Sequence, residues 1–275
     1  MASVKNVLTF GASRNIGYFA AIRLLEQGSN VTFLLRSPSV FAGDATIQKY
    51  VKSGNARLVE GDALNEADTK RAWAEAGVVD AVIFSVGTTS SSFHILKGFT
   101  VNPHNLLTQC MLNVLCTMPT YADAPRPKLV AVSSVGVTPA SYAALPLRLK
   151  PMYALIRGPH RDKVGMERAI AHCAGWTWDA KADSEPAPDM MGAGWMTRDG
   201  LPASGTLEAL VVRPGMLSDG ACLADQGKSY RVTSSEKELA QGDYNISRRD
   251  TAHFIVDALT RRWDEFANKR VNVTY

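Results

Sequence analysis

None of the four cysteines (Cys110, Cys116, Cys173 and Cys222) forms a CxxC pair, and no paired histidines accompany them. That excludes a zinc-ribbon pattern and a redox dithiol, leaving buried, reduced thiols and no metal as the expectation. The chain carries a net charge of +4 but has no block of lysine or arginine, so a nucleic-acid surface is not expected. No apolar run is long enough to span a bilayer, and no membrane partner is expected. A strand-like run beginning at Val4 leaves no room for a secretory leader. The expectation is therefore a cytoplasmic protein in which the sequons at Asn245 and Asn272 are incidental. No segment repeats. What is present is a globular composition, 46% hydrophobic and 20% charged over 275 residues. That length suits one α/β domain, so residues 1–275 are read as a single domain, a monomer or homodimer.

The densest signal is Gly11-Ala12-Ser13-Arg14-Asn15-Ile16-Gly17. It follows the apolar run Val4 to Phe10 and opens a helical pattern from Tyr18. A strand, a glycine-bearing turn and a helix start aim backbone N–H groups and the helix dipole at one point, which suits a phosphate. Gly11 supplies an unusual backbone conformation and Gly17 a close helix–strand approach, while Asn15 stands where the pattern has its middle glycine. Asn30 to Leu35 reads as a second strand ending in Arg36-Ser37. The tip of that strand is where the adenosine ribose of a dinucleotide lies, and an acid there would grip the 2′-hydroxyl of NAD. Arg36, with Arg14, instead suits a 2′-phosphate, so the sequence reads as NADP(H)-binding.

Strand-like and helical runs alternate along the chain, as in a Rossmann-type, doubly wound and mostly parallel sheet with helices on both faces. Helices are predicted over Phe41 to Lys52, from the cap Asn65 to Ala76, over Asn102 to Met118, Met152 to Ala174 and Arg249 to Arg262. Further strands are predicted at Arg57 to Asp62, Val79 to Val86, Lys128 to Ser133, Leu210 to Val212 and Arg270 to Thr274. Residues 179–206 do not fit this rhythm and read as an insertion or lid loop. Its Met190, Met191, Trp195 and Met196 favour a lid packed over something, with a mobile surface insertion as the alternative.

The chain resembles an atypical short-chain dehydrogenase/reductase, of the NAD(P)-binding branch that includes NmrA-like and biliverdin-reductase-B-like proteins. The matching pieces are the Gly11 turn, Leu35-Arg36-Ser37-Pro38, Gly61-Asp62-Ala63-Leu64, Ser85-Val86-Gly87-Thr88 and Val132-Ser133-Ser134-Val135-Gly136. Asp162-Lys163 with Glu167, Val212-Arg213-Pro214-Gly215 and Ser247-Arg248-Arg249-Asp250-Thr251-Ala252 complete the series. The resemblance implies that Gly11, Ser13, Arg14, Asn15 and Ile16 surround the pyrophosphate and 2′-phosphate, with Arg36 on the latter. It implies Asp62 and Ala63 beside the adenine, Gly87 and Thr88 along the ribose and phosphates, and Ser133 and Ser134 where substrate meets nicotinamide. Arg213-Pro214-Gly215, Pro214 included, would pass beside the nicotinamide.

One departure bears on the chemistry. The family's Tyr-x-x-x-Lys acid is absent, because Pro159 stands four residues before Lys163. Lys163 is expected to hold the ribose, and the candidate proton donors are Tyr153, His160 and Ser134. Tyr153 as a packed aromatic, His160 as a surface residue and water as the proton source are the alternatives. The expected function is an NADPH-dependent reductase of a small apolar or aromatic carbonyl or enone substrate. An NADP-binding sensor without turnover, or an isomerase or epimerase using bound NADP, are the other readings.

Overall fold

Runs that are apolar on both faces assemble the central sheet of the computed structural model, which describes residues 4–87, 91–94, 98–235 and 244–275. Its strands are β1 (Asn6–Phe10), β2 (Asn30–Leu35), β3 (Ala56–Glu60), β4 (Ala81–Phe84), β7 (Lys128–Val132), β8 (Ala209–Pro214), β10 (Arg231–Thr233) and β12 (Lys269–Thr274). They lie in the order β3-β2-β1-β4-β7-β8-β12-β10, all parallel except β10. Two small pairs stand apart: an antiparallel hairpin of β5 (Ser91–His94) and β6 (Gly98–Val101), and parallel β9 (Met216–Ser218) and β11 (Asn245–Ser247).

Alternate residues of β1, β2, β4, β7 and β8 feed two separate cores, the period-2 consequence of a pleated strand buried on both sides. In β4, Ala81 and Ile83 face one layer while Val82 and Phe84 face the other. The first layer holds α1 (Asn15–Glu26), α2 (Ala45–Ser53) and α9 (Arg248–Thr260). The second holds α3 (Glu66–Ala76), α4 (Leu106–Cys116) and α7 (Arg157–Ala174). The expected Rossmann-type architecture is thus present, with an insertion ahead of β8. Among the described residues no helix is long and apolar enough to cross a membrane.

Local chemistry sets the helix ends. Asn65 caps α3, accepting from Ala67 N at 3.0 Å, as predicted. The predicted helix from Phe41 begins later, because Pro38–Phe41 forms a separate 3₁₀ turn and Asp44 caps α2 by accepting from Ile47 N at 3.0 Å. The predicted Met152 to Ala174 helix is two pieces, α6 (Lys150–Leu155) and α7, broken at Ile156. Pro159 has no N–H for Leu155, and its ring crowds that carbonyl, so the ladder stops there. The hairpin and strands β9 to β11, each four residues or fewer, were not predicted.

The 179–206 insertion packs on the outside of the second helical layer. Met190 and Met191, in the short α8 (Pro188–Met191) that follows α5 (Pro139–Ala144) and α7 in the chain, are buried. Gln109 of α4 donates to the Met190 carbonyl at 2.8 Å. Arg168 of α7 lies between the rings of Trp178 and Trp195 at 5.6 and 5.3 Å. Arg198 reaches Glu66 at 2.6 Å and also bonds Asn113.

The turn between β1 and α1 presses against the end of β4. Gly11 has φ +80°, and a Cβ there would lie 2.4 Å from Val86 N. A Cβ on Gly17 would lie 2.2 Å from Ser85 Oγ and 2.8 Å from Ala12 Cα. Asn15 takes φ +58°, a left-handed conformation that asparagine tolerates better than most residues. This explains how Asn15 replaces a glycine in the motif.

At the far edge, the buried Asp250 accepts from Tyr275 Oη at 2.6 Å, Ser247 Oγ at 2.7 Å, Ala224 N at 2.9 Å and Leu223 N at 3.0 Å. Burial pushes this carboxyl up, but the donors outweigh it and hold it at about 2.

Two outcomes follow for thermal or urea denaturation. Asn15→Gly should stay within about 0.5 kcal/mol of the parent, whereas Asn15→Val should lose about 1–2 kcal/mol; equal effects would remove the left-handed requirement. The Asp250 carboxylate contributes its stability above the unfolded value near 4 and loses it as pH falls toward 2. Asp250→Asn should therefore cost about 2 kcal/mol at pH 7 and flatten the decline in Tm between pH 5 and 2.5. An unchanged slope would exclude that linkage.

Candidate functional site

Strand order reverses between β1 and β4, and the carboxyl ends of the strands diverge there. A cleft of about 770 Å³ opens at that place. Its lining includes Gly11, Ser13, Arg14, Asn15 and Ile16 from the first turn, Arg36 after β2, and Asp62 and Ala63 after β3. Gly87 after β4 and Ser133 and Ser134 after β7 continue the wall. His160 and Lys163 of α7 complete the set of predicted residues in it. Thr88 lies outside the described residues.

One end of the cleft is built for an anion. Helix α1 has no side-chain cap and no acidic residue in its first turn, so its leading N–H groups and dipole face the cleft without a built-in anion. Arg14 and Arg36 are exposed there, and Arg14 makes no ion pair with any described residue. The loop after β3 is fixed by its own bonds. Asp62 Oδ1 accepts from Leu64 N at 3.0 Å, Asp62 N donates to Asp68 at 2.9 Å, and the Ala63 carbonyl accepts from Asn113 at 2.9 Å.

The other end is lined by Phe99, Val101, Leu106, Ile156, Pro159 and Leu217, above a polar floor. Lys163 Nζ donates to the Ser133 carbonyl at 3.0 Å. Burial pulls the Lys163 ammonium down to about 8, against the Glu167 and Asp162 charges that favour it. Ser133 Oγ donates to Glu167, which is fully buried and paired with Arg213 through both carboxylate oxygens. Arg213 therefore ties β8 to α7, and it is not among the residues that line the cleft. Pro214 is a buried strand-end residue whose carbonyl accepts from Val135 N at 3.0 Å, and it is not part of the cleft lining.

The candidate acids fall differently from expectation. Tyr153 is 2% exposed and lies in a small core with Val135, Leu145 and Tyr244, outside the cleft lining. Burial, then the neighbouring Tyr244, push its hydroxyl up to about 12. His160 lines the cleft but is buried, with its ring edge-on to Tyr153 at 5.6 Å. Burial, then the Lys163 charge, lower it to about 3 despite a backbone bond to Gly136. It does not titrate near neutrality as the sequence suggested. Ser134 keeps partial exposure and donates to the Val135 carbonyl at 3.1 Å.

Two further residues bear on the site though neither had a role assigned from sequence: Asp162, outside the cleft lining, and Arg248, within it. Asp162 is fully buried and caps α4 from outside, accepting from Leu107 N at 2.7 Å and Thr108 N at 2.9 Å. It thereby ties the start of α4 to the turn carrying Lys163. Asn105 makes no side-chain cap at this helix start, so Asp162 serves in its place. Arg248, at the start of α9, lines the cleft and pairs with Asp219 at 2.7 Å. None of the residues of the 179–206 insertion lines the cleft, so its apolar side chains cover α4 and α7 instead.

Solved structures share this fold. ChuY, an anaerobilin reductase from Escherichia coli O157:H7, has a TM-score of 0.58 at 15% identity, over 98% of this chain and 96% of that one. A blue fluorescent protein from a metagenomic library, in complex with NADPH, gives 0.57 at 16%, over 98% and 97%. A short-chain type dehydrogenase/reductase from Mycobacterium ulcerans gives 0.57 at 16%, over 98% and 88%. No curated protein matches the chain in sequence. Residues 11–178, from the first glycine of the turn to the start of the insertion, match the NAD(P)H-binding family, and the chain belongs to it, in keeping with its resemblance to atypical short-chain dehydrogenase/reductases.

Proposed function

We propose that the protein is an NADPH-dependent reductase of small apolar or aromatic carbonyl or enone substrates. The observation that carries this reading is a single cleft joining a cationic, uncapped helix start to an apolar end floored by Lys163. The residues present fit the cofactor. Gly11 leaves room that a Cβ would fill, α1 offers N–H groups to a pyrophosphate, and Arg14 and Arg36 suit a 2′-phosphate. ChuY and the NADPH complex support the reading through fold alone.

Bound NADPH supplies the hydride, and the chain's residues bind, orient and protonate. Lys163 holds the nicotinamide ribose. With its ammonium drawn down to about 8, it is also the donor best matched to neutral pH. Ser134 orients the substrate oxygen at the end of β7. The neutral His160 shapes the pocket and acts as a hydrogen-bonding group rather than an acid. Apolar side chains at this end exclude water from the reacting carbon. The buried position of Tyr153 and the presence of Pro159 favour a second reading, an NADP-binding regulator without turnover.

Thermal-shift titration separates these. NADP and NADPH should raise Tm, and NAD and NADH should do so far less. Arg36→Ala should weaken NADPH by about 10- to 100-fold while NADH changes little, as expected for loss of a charge-assisted bond; equal loss would take Arg36 off the 2′-phosphate. Binding without NADPH consumption on carbonyl, quinone, flavin and enone panels would select the regulator.

The pH profile tests the acid. Lys163 is protonated below about 8, so kcat/KM should fall as pH rises through that value, with no acidic limb between pH 5 and 7 from His160. Lys163→Met should reduce kcat about 100-fold or more, whereas His160→Asn should leave the profile's shape intact. An acidic limb that disappears in His160→Asn would reverse the two roles.

A further inference from the structure

Helix α6 and the turn before it carry apolar side chains on two opposite sides. One stripe packs inward: Tyr153 is buried in the small core with Val135, Leu145 and Tyr244, and Leu149 and Ile156 pack against it. The other stripe, Arg148, Pro151, Met152 and Leu155, has helical spacing of its own but is exposed. Leu147, just before it, has 81% of its surface in water, Leu155 has 43% and Met152 has 37%. A helix on the rim of a domain needs one apolar side for the core, and α6 has a second. Single exposed leucines are ordinary, but these three side chains are grouped in one short segment, and none of them lines the cleft.

The charge of this segment has one sign. From residue 124 to residue 161 the chain contains no aspartate or glutamate, while Arg148, Lys150, Arg157 and Arg161 lie on α6, just before it, or in the first turns of α7. Arg148, Arg157 and Arg161 are exposed, and none of the three forms an ion pair with a described residue. Lys150 lies over the Tyr142 ring at 5.8 Å. Arg157 and Arg161 are spaced i,i+4, which brings like charges together on one stripe. They also stand near the positive end of an 18-residue helix with no acid in its first turn. Asp162 gives them no relief, since its carboxylate is buried and committed to α4. Within the chain this arrangement is unfavourable, and an anionic neighbour from outside would relieve it.

We infer that this face docks on an anionic lipid surface, with Leu147, Met152 and Leu155 entering the headgroup boundary and Arg148, Arg157 and Arg161 meeting lipid phosphates. Stable attachment to a bilayer surface takes both apolar area and cationic charge, and this segment holds both. Such a contact needs no spanning helix, so the expectation of no membrane partner, which rested on span length alone, does not bear on it. A second copy docked through the same face would set like charges against like. A nucleic-acid strand would call for aromatic side chains on which to stack, and the exposed apolar groups here are aliphatic. The inference does not depend on the chemistry of the cleft. Ile156, Pro159, His160 and Lys163 of the same segment line its apolar end, however, so docking here places lipid beside the site.

The test is co-sedimentation of the full chain with vesicles of equal parts phosphatidylglycerol and phosphatidylcholine, and with vesicles of phosphatidylcholine alone. The chain should pellet with the anionic vesicles only, and less so as salt is raised. Arg157→Gln/Arg161→Gln should weaken binding about 10- to 30-fold, as expected for two cations at a charged surface. Leu147→Ser/Leu155→Ser should weaken it about tenfold. Lys49→Gln/Lys52→Gln removes two exposed cations from α2 in the opposite helical layer and should change little. Tm of each variant reports folding separately. No pelleting, or equal pelleting with both vesicle types, would overturn the inference. A loss in Lys49→Gln/Lys52→Gln as large as in the arginine variant would overturn it too, because total charge rather than this face would then be responsible. Sedimentation velocity without lipid supplies the last arm: a dimer that Leu147→Ser/Leu155→Ser dissolves would overturn it in favour of a second copy.

Discussion

The pairing of Glu167 with Arg213 holds the α7 wall of the cleft in place. Both side chains are shut away from water between α7 and β8, and the carboxylate takes two bonds from the guanidinium and one from Ser133. A buried pair of this kind contributes little net stability over an apolar substitute, but losing one partner strands the other at a cost of about 3–5 kcal/mol. Its value here is positional. Lys163 lies one helical turn before Glu167, and Ser133 links the same carboxylate to the end of β7. Helix α7 is thus fixed in register against the sheet, and with it the ammonium that floors the apolar end.

The two ends of the cleft are specified by different kinds of information. The cationic end is built from consecutive residues, Gly11 to Ile16, and from the tips of adjacent parallel strands. Local rules of turns and strand ends picked out Arg14 and Arg36, and the resemblance picked out Asp62 and Ala63; all four line the cleft. The strands buried on both faces were legible for the same reason, since a continuous apolar run has few other uses in a domain of this size.

The apolar end of the cleft depends on side chains from distant segments. Tyr153 sits at a plausible distance in sequence from Lys163, yet the break at Ile156 turns it into a core with Leu145 and Tyr244. His160 reads as a neutral-pH titrator until its burial beside Lys163 is known. Arg213 is implied beside the cofactor by resemblance, and its buried pairing with Glu167 is a contact the sequence did not announce. In each case a long-range packing contact decided the outcome, and no local pattern records such contacts. The insertion misled for a related reason: Met190 and Met191 announced burial but not the surface they would cover.

Asp250 gathers the start of α9, the loop around Leu223 and the end of the chain at Tyr275 onto one carboxylate. Segments sharing a single buried acceptor do not loosen one at a time, because releasing any donor weakens the arrangement that orients the rest. Opening in this region would be cooperative, a unit in the sense of native-state hydrogen exchange. Arg248 stands two residues from that hub and faces the cleft. The described late part of the chain that this carboxylate ties together therefore also supplies a side chain of the cleft wall, so the packing of the far edge and the shape of the site share one anchor.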